Sequence, residues 1–412
     1  MLDAWESPPE LTASVLCFAA MIPDAPTEMI QDAAGLRALC DDLHASTWFA
    51  LDTEFVRETT YWARLCLIQV ATEARVACID PLVLDDLAPL FAVLDDPAVT
   101  KVLHSGSQDL EIFHQLSGRI PAPIFDTQVA APLLGYGEQA GFARLVENIV
   151  GVELDKSQTR TDWAERPLPD AAVEYAGNDA RYLVPLYQHM HTELERRGRL
   201  EWVTPEMASL TRPERYERAA DDAWRRLRGV DRLPGAGRAV ARALATWREE
   251  TARANDVPRG HIVRDDAIVD VAKTRPKNRR QLERIRGLKG QALDRYGQII
   301  LDIVARAREE TPPAASNAPA EAPLEAHEEA LVDALTAIIK LRAAAEALNA
   351  QTVASRKDLA RIVRGTPVAE VLPGWRAALI GNELDDFLHG RSQLRAGANG
   401  LQVLPAAPPA AK

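Results

Sequence analysis

Three short apolar runs, Trp48–Glu54 (WFALDTE), Leu65–Ala71 (LCLIQVA) and Val76–Ile79, follow one another with only short connections between them. Runs of this length, rich in β-branched and apolar residues, read as strands. Close succession predicts an antiparallel meander. A fourth run, Val99–Leu103, is separated from its neighbours by helical periodicity. Helices are expected at Asp86–Leu94, Asp109–Leu116, Thr127–Leu134, Phe142–Val150 and Asp170–Arg196. Strand–helix alternation of this kind predicts parallel pairing. The first 200 residues are therefore expected to form an α/β domain with a mixed sheet flanked by helices.

Beyond about residue 210 the strand signals stop. The chain divides into an N-terminal extension (1–25), an α/β domain (26–205), a first all-α helical bundle (211–308), a Pro/Ala linker (309–323), a second and diverged helical bundle (324–398) and a disordered tail (399–412). No run of 18 apolar residues occurs, so no transmembrane helix and no membrane partner are expected. Leu11–Ile22 is mildly apolar, but no Lys or Arg precedes it, which makes it a poor signal peptide; Met21 or Met29 could begin the fold. Cys17, Cys40, Cys66 and Cys78 show no C-x-x-C spacing, which argues against zinc or a disulfide framework and fits a reducing cytoplasm.

Charge is unevenly spread within a net −12. Residues 1–210 carry 14 basic against 33 acidic side chains, a balance of −19, whereas residues 211–310 carry 24 against 16, a balance of +8. Solvated surface charge is the plain explanation. The functional one is division of labour, with acidic residues for metals and a basic module for phosphates.

Asp52-Thr53-Glu54 closes the first apolar run. Residues i and i+2 of a strand share a face, so both carboxylates project together. Two anions ~4 Å apart repel by about 4 kcal/mol at an effective dielectric of 20, so they need a cation, a shared proton or water. Asp109 follows an apolar strand and the turn His104-Ser105-Gly106-Ser107, where it either caps the helix or faces a cleft. Tyr175 and Asp179 stand four apart in a helix and so lie on one face. Singly these are ordinary surface features. Together, Asp52, Glu54, Asp109 and Asp179 could hold two divalent ions, which phosphodiester hydrolysis uses to make a nucleophile and to stabilise the leaving oxygen. All-oxygen ligands without His or Cys point to Mg or Mn.

D-x-E, then an Asp after H-x-G-x-x, then Y-x-x-x-D resembles the DEDD exonucleases, in the branch that carries Tyr. The flanks LDTEFVRETTYWARLCLIQV, VLHSGSQDLEIF, DTQVAAPLLGYG, LDKSQTRTDWAERPL and EYAGNDARYLVPLY are similar to ribonuclease D through residues 48–190. The resemblance implies a ribonuclease H-like fold, 3′→5′ exoribonuclease activity releasing nucleoside 5′-monophosphates, and two Mg or Mn ions. It implies Asp52, Glu54, Asp109 and Asp179 as ligands, with Tyr175 beside them to position water. It also implies RNA with a free 3′ end as partner, tRNA precursors and small structured RNAs among the substrates. A monomeric, cytoplasmic enzyme is expected.

Arg57, Gln69, His104, Lys156, Arg160 and Trp163 are candidate RNA contacts, because basic groups beside an aromatic suit a single strand. The alternative is that Trp163 is core and the charges are solvated. Residues 211–308 resemble the helical domain shared by certain helicases and ribonuclease D. Arg279, Arg280 and Arg284 there belong to a cluster able to reach phosphates, or else to a solvated helix face. No G-x-x-x-x-G-K-[ST] loop is present, so a helicase motor is excluded. Two rivals stay open: a DNA 3′→5′ exonuclease, and a non-catalytic RNA-binding scaffold.

Overall fold

The computed structural model describes residues 25–155, 161–217, 219–307, 323–398 and 400–406. The chain forms two compact units. One comprises residues 25–54, 67–211 and 323–406; the other comprises 55–66 and 212–307.

The first unit holds a six-stranded sheet: β1 (Thr27–Ile30), β2 (Trp48–Val56), β3 (Arg64–Ala71), β4 (Val76–Ile79), β5 (Thr100–Leu103) and β6 (Ile124–Asp126), in the order β1-β4-β3-β2-β5-β6. β4 is antiparallel to β3 and parallel to β1, while β5 is parallel to both β2 and β6. The expected antiparallel pairing of β3 with β4 and the expected parallel pairs are both present, so the sheet is mixed. Helices α1 (Ala33–Ala45), α2 (Ala88–Leu94), α3 (Ser107–Ser117), α4 (Thr127–Leu134), α5 (Phe142–Val150), α6 (Asp170–Arg196) and α7 (Leu200–Leu210) complete the α/β part. β3 and β4 are buried almost throughout, from Leu65 to Ala71 and from Val76 to Ile79. That explains their continuous apolar runs, because residues on both faces of these strands are buried.

Two details fix where the helices lie. Gly177 on α6 faces β1 so closely that a Cβ there would stand 2.3 Å from Thr27 Oγ1. Arg181, one turn further, donates to the Ala25 carbonyl at 2.6 Å, to Thr27 Oγ1 at 3.1 Å and to Glu174 at 2.8 Å. β1 and α6 are thus tied at the turn between Tyr175 and Asp179. On the other side of the sheet's centre, Lys101 is wholly buried. Its ammonium donates to the carbonyls of Asp96, Val99 and Ala122 at 2.7–3.0 Å, and burial pushes its pKa down to about 8.

Residues 323–406 pack within the first unit as helices that include α11 (Ala326–Ala345), α12 (Arg356–Val363) and α13 (Asn382–Leu388). The Arg199 guanidinium donates to the Leu133 and Glu346 carbonyls, and Trp202 stacks on Trp375 with ring centroids 4.9 Å apart. The tail expected to be disordered from residue 399 is corrected in part: Gly400–Pro405 forms β8, paired antiparallel with β7 (Ser392–Gly397). Cross-strand apolar pairs, Leu394 with Val403 and Ala396 with Leu401, supply the reason. The adjoining Pro/Ala run hid that signal. Residues 407–412, like most of the expected extension and linker, lie outside the described residues.

The second unit is helical, with α8 (Gly235–Ala254), α9 (Asp265–Thr274) and α10 (Gln291–Ala307) around a core that includes Trp224, Leu244, Ile268, Leu282 and Ile300. Tyr61 joins that core. Its hydroxyl meets Glu249, Arg253 and Arg259, and the Asp256 carboxylate accepts the N–H groups of Tyr61 and Trp62 at 3.0 Å.

Candidate active site

β2 delivers Asp52 and Glu54, which strand alternation sends to one face. α6 delivers Tyr175 and Asp179 from successive turns. Asp109 comes from the first turn of α3, and the route to it is specific. Ser105 adopts a left-handed φ of 57°, and a Cβ on Gly106 would sit 2.7 Å from the Leu103 side chain, so only glycine turns this corner. The Asp126 carboxylate pins the corner, accepting the N–H groups of Ser105 at 3.0 Å and Gly106 at 2.9 Å while capping α4 through Gln128. Gly106, not Ser107 or Asp109, is the N-cap of α3, and it offers no side-chain cap. That leaves Asp109 free of a capping role. It is buried and accepts a hydrogen bond from the Thr53 hydroxyl.

The four carboxylates feel one another. Burial, then Asp109, Asp179 and Glu54, hold Asp52 well above the ordinary carboxylate range. Burial, then Asp179 and Asp109, push Glu54 up to about 8. Burial lifts Asp179 to about 7, and lifts Asp109 to about 6 against the opposing Thr53 hydroxyl bond. Burial and then Asp179, Glu54, Asp52 and Asp155 push Tyr175 up to about 12, so its phenol stays protonated at neutral pH. Five sequence-predicted residues therefore form one electrostatic cluster. Its donors are all hard oxygens, which suits Mg or Mn rather than zinc. Among the described residues, no three Asp, Glu, His or Cys groups stand close enough to close on one ion as they are, so an ion would have to draw the carboxylates in.

The candidate RNA contacts fare unevenly. Gln69 is corrected: it is wholly buried in β3, directly across from Cys78, and no phosphate can reach it. Trp163 is corrected too, since it is only 9% exposed and stacks on Tyr175 with ring centroids 6.5 Å apart and planes at 29°. His104 is half-buried, its Nδ1 2.9 Å from Thr127 Oγ1, and burial lowers its pKa. Arg57 is exposed and donates to the Tyr61 carbonyl at 3.0 Å. Lys156 and Arg160 lie outside the described residues. In the helical unit Arg280 and Arg284 are exposed, whereas Arg279 is engaged by Asp294 and Glu283.

Sequence reasoning passed over Asp80 and Arg166. Asp80 ends β4 with its side chain wholly buried, and Arg166 grips it through two hydrogen bonds, 2.7 and 2.8 Å. An acid closing an apolar strand (VACID) was the available signal.

A family model described as a 3′-5′ exonuclease matches residues 27–195, and one described as an HRDC domain matches residues 237–304. A ribonuclease D of Acidiphilium cryptum is 39% identical over 383 residues, 91% of this chain and 96% of that relative. This chain belongs to the ribonuclease D family. A ribonuclease D of Sphingobium indicum is 37% identical over 372 residues, 88% of this chain and 95% of that relative. The crystal structure of Escherichia coli RNase D, described as an exoribonuclease involved in structured RNA processing, matches with a TM-score of 0.77 at 32% identity, covering 90% of this chain and 100% of that one. The chain is thus an exoribonuclease of the 3′→5′ class, with the mixed α/β exonuclease core and helical HRDC region of ribonuclease D. Divalent-metal dependence comes with that exonuclease family.

Proposed function

We propose that this ribonuclease D removes nucleoside 5′-monophosphates one at a time from free RNA 3′ ends, with Asp52, Glu54, Asp109 and Asp179 holding two Mg or Mn ions and Tyr175 orienting the attacking water. Precursors of tRNA and other small structured RNAs are the substrates, handled by a monomer in the cytoplasm. What supports this reading is that β2, α3 and α6 bring four carboxylates, Asp52, Glu54, Asp109 and Asp179, within reach of one another's charge. Perturbed carboxylates of this kind cluster at functional sites.

When bound, the ions would lower the pKa of water and offset the charge of the leaving oxygen. The chain's own part is positional. Thr53 holds Asp109 through its hydroxyl. Tyr175, one turn before Asp179 on the same helix, would orient water by hydrogen bonding. The Arg280 and Arg284 side chains of the basic unit would hold RNA phosphates. The decisive test follows nucleotide release from matched RNA and DNA oligomers in Mg²⁺ and in EDTA, with Asp52→Asn beside the parent. Monophosphate release from RNA should vanish in EDTA and in the variant. Full activity in EDTA would sink the metal assignment; equal rates on DNA would replace the substrate.

A further inference from the structure

Tyr175 is half-buried, and among the described residues no hydrogen bond acts on its hydroxyl. The phenol of a water-orienting tyrosine must nevertheless be held in one rotamer, because a displacement of ~1 Å near the chemistry can cost on the order of 10²-fold. Packing has to supply that restraint. The ring contact that Tyr175 makes among the described residues is with Trp163, stacked on it with centroids 6.5 Å apart. Trp163 lies outside α6, in the segment that leads into it, so its own position needs an anchor.

That anchor is Arg166. Its guanidinium donates twice to the buried Asp80 carboxylate at the end of β4, and Nη1 donates to the carbonyls of Trp163 at 2.9 Å and Glu165 at 2.7 Å. Asp80 is itself oriented by the Leu82 N–H at 3.1 Å and by Gln31 at 3.2 Å. The Asp162 carboxylate accepts the Ala164 N–H at 3.0 Å and tightens the same turn. A planar fork that satisfies a carboxylate on one side and two backbone carbonyls on the other is a task for arginine; the point charge of lysine cannot reproduce it. The end of β4 is thereby linked to the backbone that carries the indole.

We propose that Trp163, locked to the sheet by the Arg166–Asp80 pair, is a positioning residue that fixes the Tyr175 phenol toward Asp52, Glu54 and Asp179. The indole forms a wall behind the phenol and touches no substrate. This rests on the assignment of Tyr175 as the water-orienting residue, and the test separates the two. Turnover and KM are measured on a single-stranded RNA in saturating Mg²⁺ for Trp163→Leu, Trp163→Phe, Tyr175→Phe and the double variants. Trp163→Leu stays apolar but removes the flat face. It should lower kcat by roughly 10–100-fold with KM within about threefold. Trp163→Phe should restore most of the loss, and Arg166→Lys should mimic it.

The discriminating measurement is the cycle. If Trp163 acts through the phenol, Trp163→Leu in the Tyr175→Phe background should cost less than about threefold more, since coupled residues are not additive. Equal losses in both backgrounds, with Tyr175→Phe itself impaired, would overturn the positioning role and leave the tyrosine assignment standing. A Tyr175→Phe enzyme of normal rate would overturn both. Thermal midpoints accompany each variant. Should Trp163→Leu fail to fold, the same cycle run with Arg166→Lys decides the matter, with the same overturning result.

Discussion

Without divalent cations, the carboxylate pocket should make this protein less stable as the solution becomes alkaline. Glu54 rests at about 8 in the fold against 4.5 for a free glutamate, and Asp179 at about 7 against 3.8. Raised values mean that the folded chain keeps protons that the unfolded chain has released. Stability is then fully present at low pH and is lost as pH climbs through the folded values. Other groups set the useful window. The pKa values of His104 and His189 are lowered by burial, which adds stability as pH rises toward 6.5. Lys101, at about 8 against 10.5, adds stability above pH 8. Glu249, at about 2, where the Arg259 and Tyr61 bonds outweigh burial, contributes a constant amount throughout. Between pH 6.5 and 8 the carboxylates outweigh these groups. By linkage Glu54 loses about 2 kcal/mol over that interval, and Asp52 and Asp179, also raised, add to the loss. At ~2–4 °C per kcal/mol for a unit of this size, the thermal midpoint in EDTA should fall by roughly 4–8 °C. Glu54→Gln should flatten part of the slope, and Mg²⁺ should raise the midpoint most at pH 8, where the ligands are ionised. A midpoint in EDTA that is flat or rising over this window, identical in Glu54→Gln, would refute the account.

Tyr175→Phe should lower kcat by ~10²–10⁴-fold with little change in RNA affinity, read by single-turnover cleavage beside a binding titration. Gly177→Ala should destabilise the first unit by ~1–3 kcal/mol, because its Cβ would meet Thr27 Oγ1 at 2.3 Å, and Thr27→Ala in the same chain should recover part of the loss in a denaturant titration. Reversing Arg280 and Arg284 to Glu should weaken RNA binding and flatten its salt dependence by about 0.7 in log–log slope per lost phosphate contact, while cleavage of a short oligomer at saturation stays near the parent rate.

Much of this architecture was legible in the residues. The runs WFALDTE and LCLIQVA read directly as β2 and β3, because strands covered on both faces are apolar at consecutive positions. The spacing of Tyr175 and Asp179 read directly as one helix face. β1 and β6 were not legible: four and three residues are too short for a period to show, and both are recruited by neighbours, β4 and β5. At the site, residue types revealed the carboxylates but not their supports. Gln69 and Trp163 looked like surface contacts since polarity and aromaticity say nothing of burial. Asp80 and Arg166, 86 residues apart, meet only in three dimensions.

Phe55–Cys66 leaves the carboxylate-bearing strand and returns to β3, yet its Tyr61 is a core residue of the helical unit. The two units are therefore not successive along the chain, and no single cut separates them. A stop codon after Thr211 would leave the loop translated but bereft of Glu249, Arg253, Asp256 and Arg259, with an aromatic pair exposed in its place. Exon-like loss or gain of the helical module would have to coincide with a rewritten loop just after Glu54. A chimaera joining this exonuclease core to a foreign HRDC module should carry the matching loop with it.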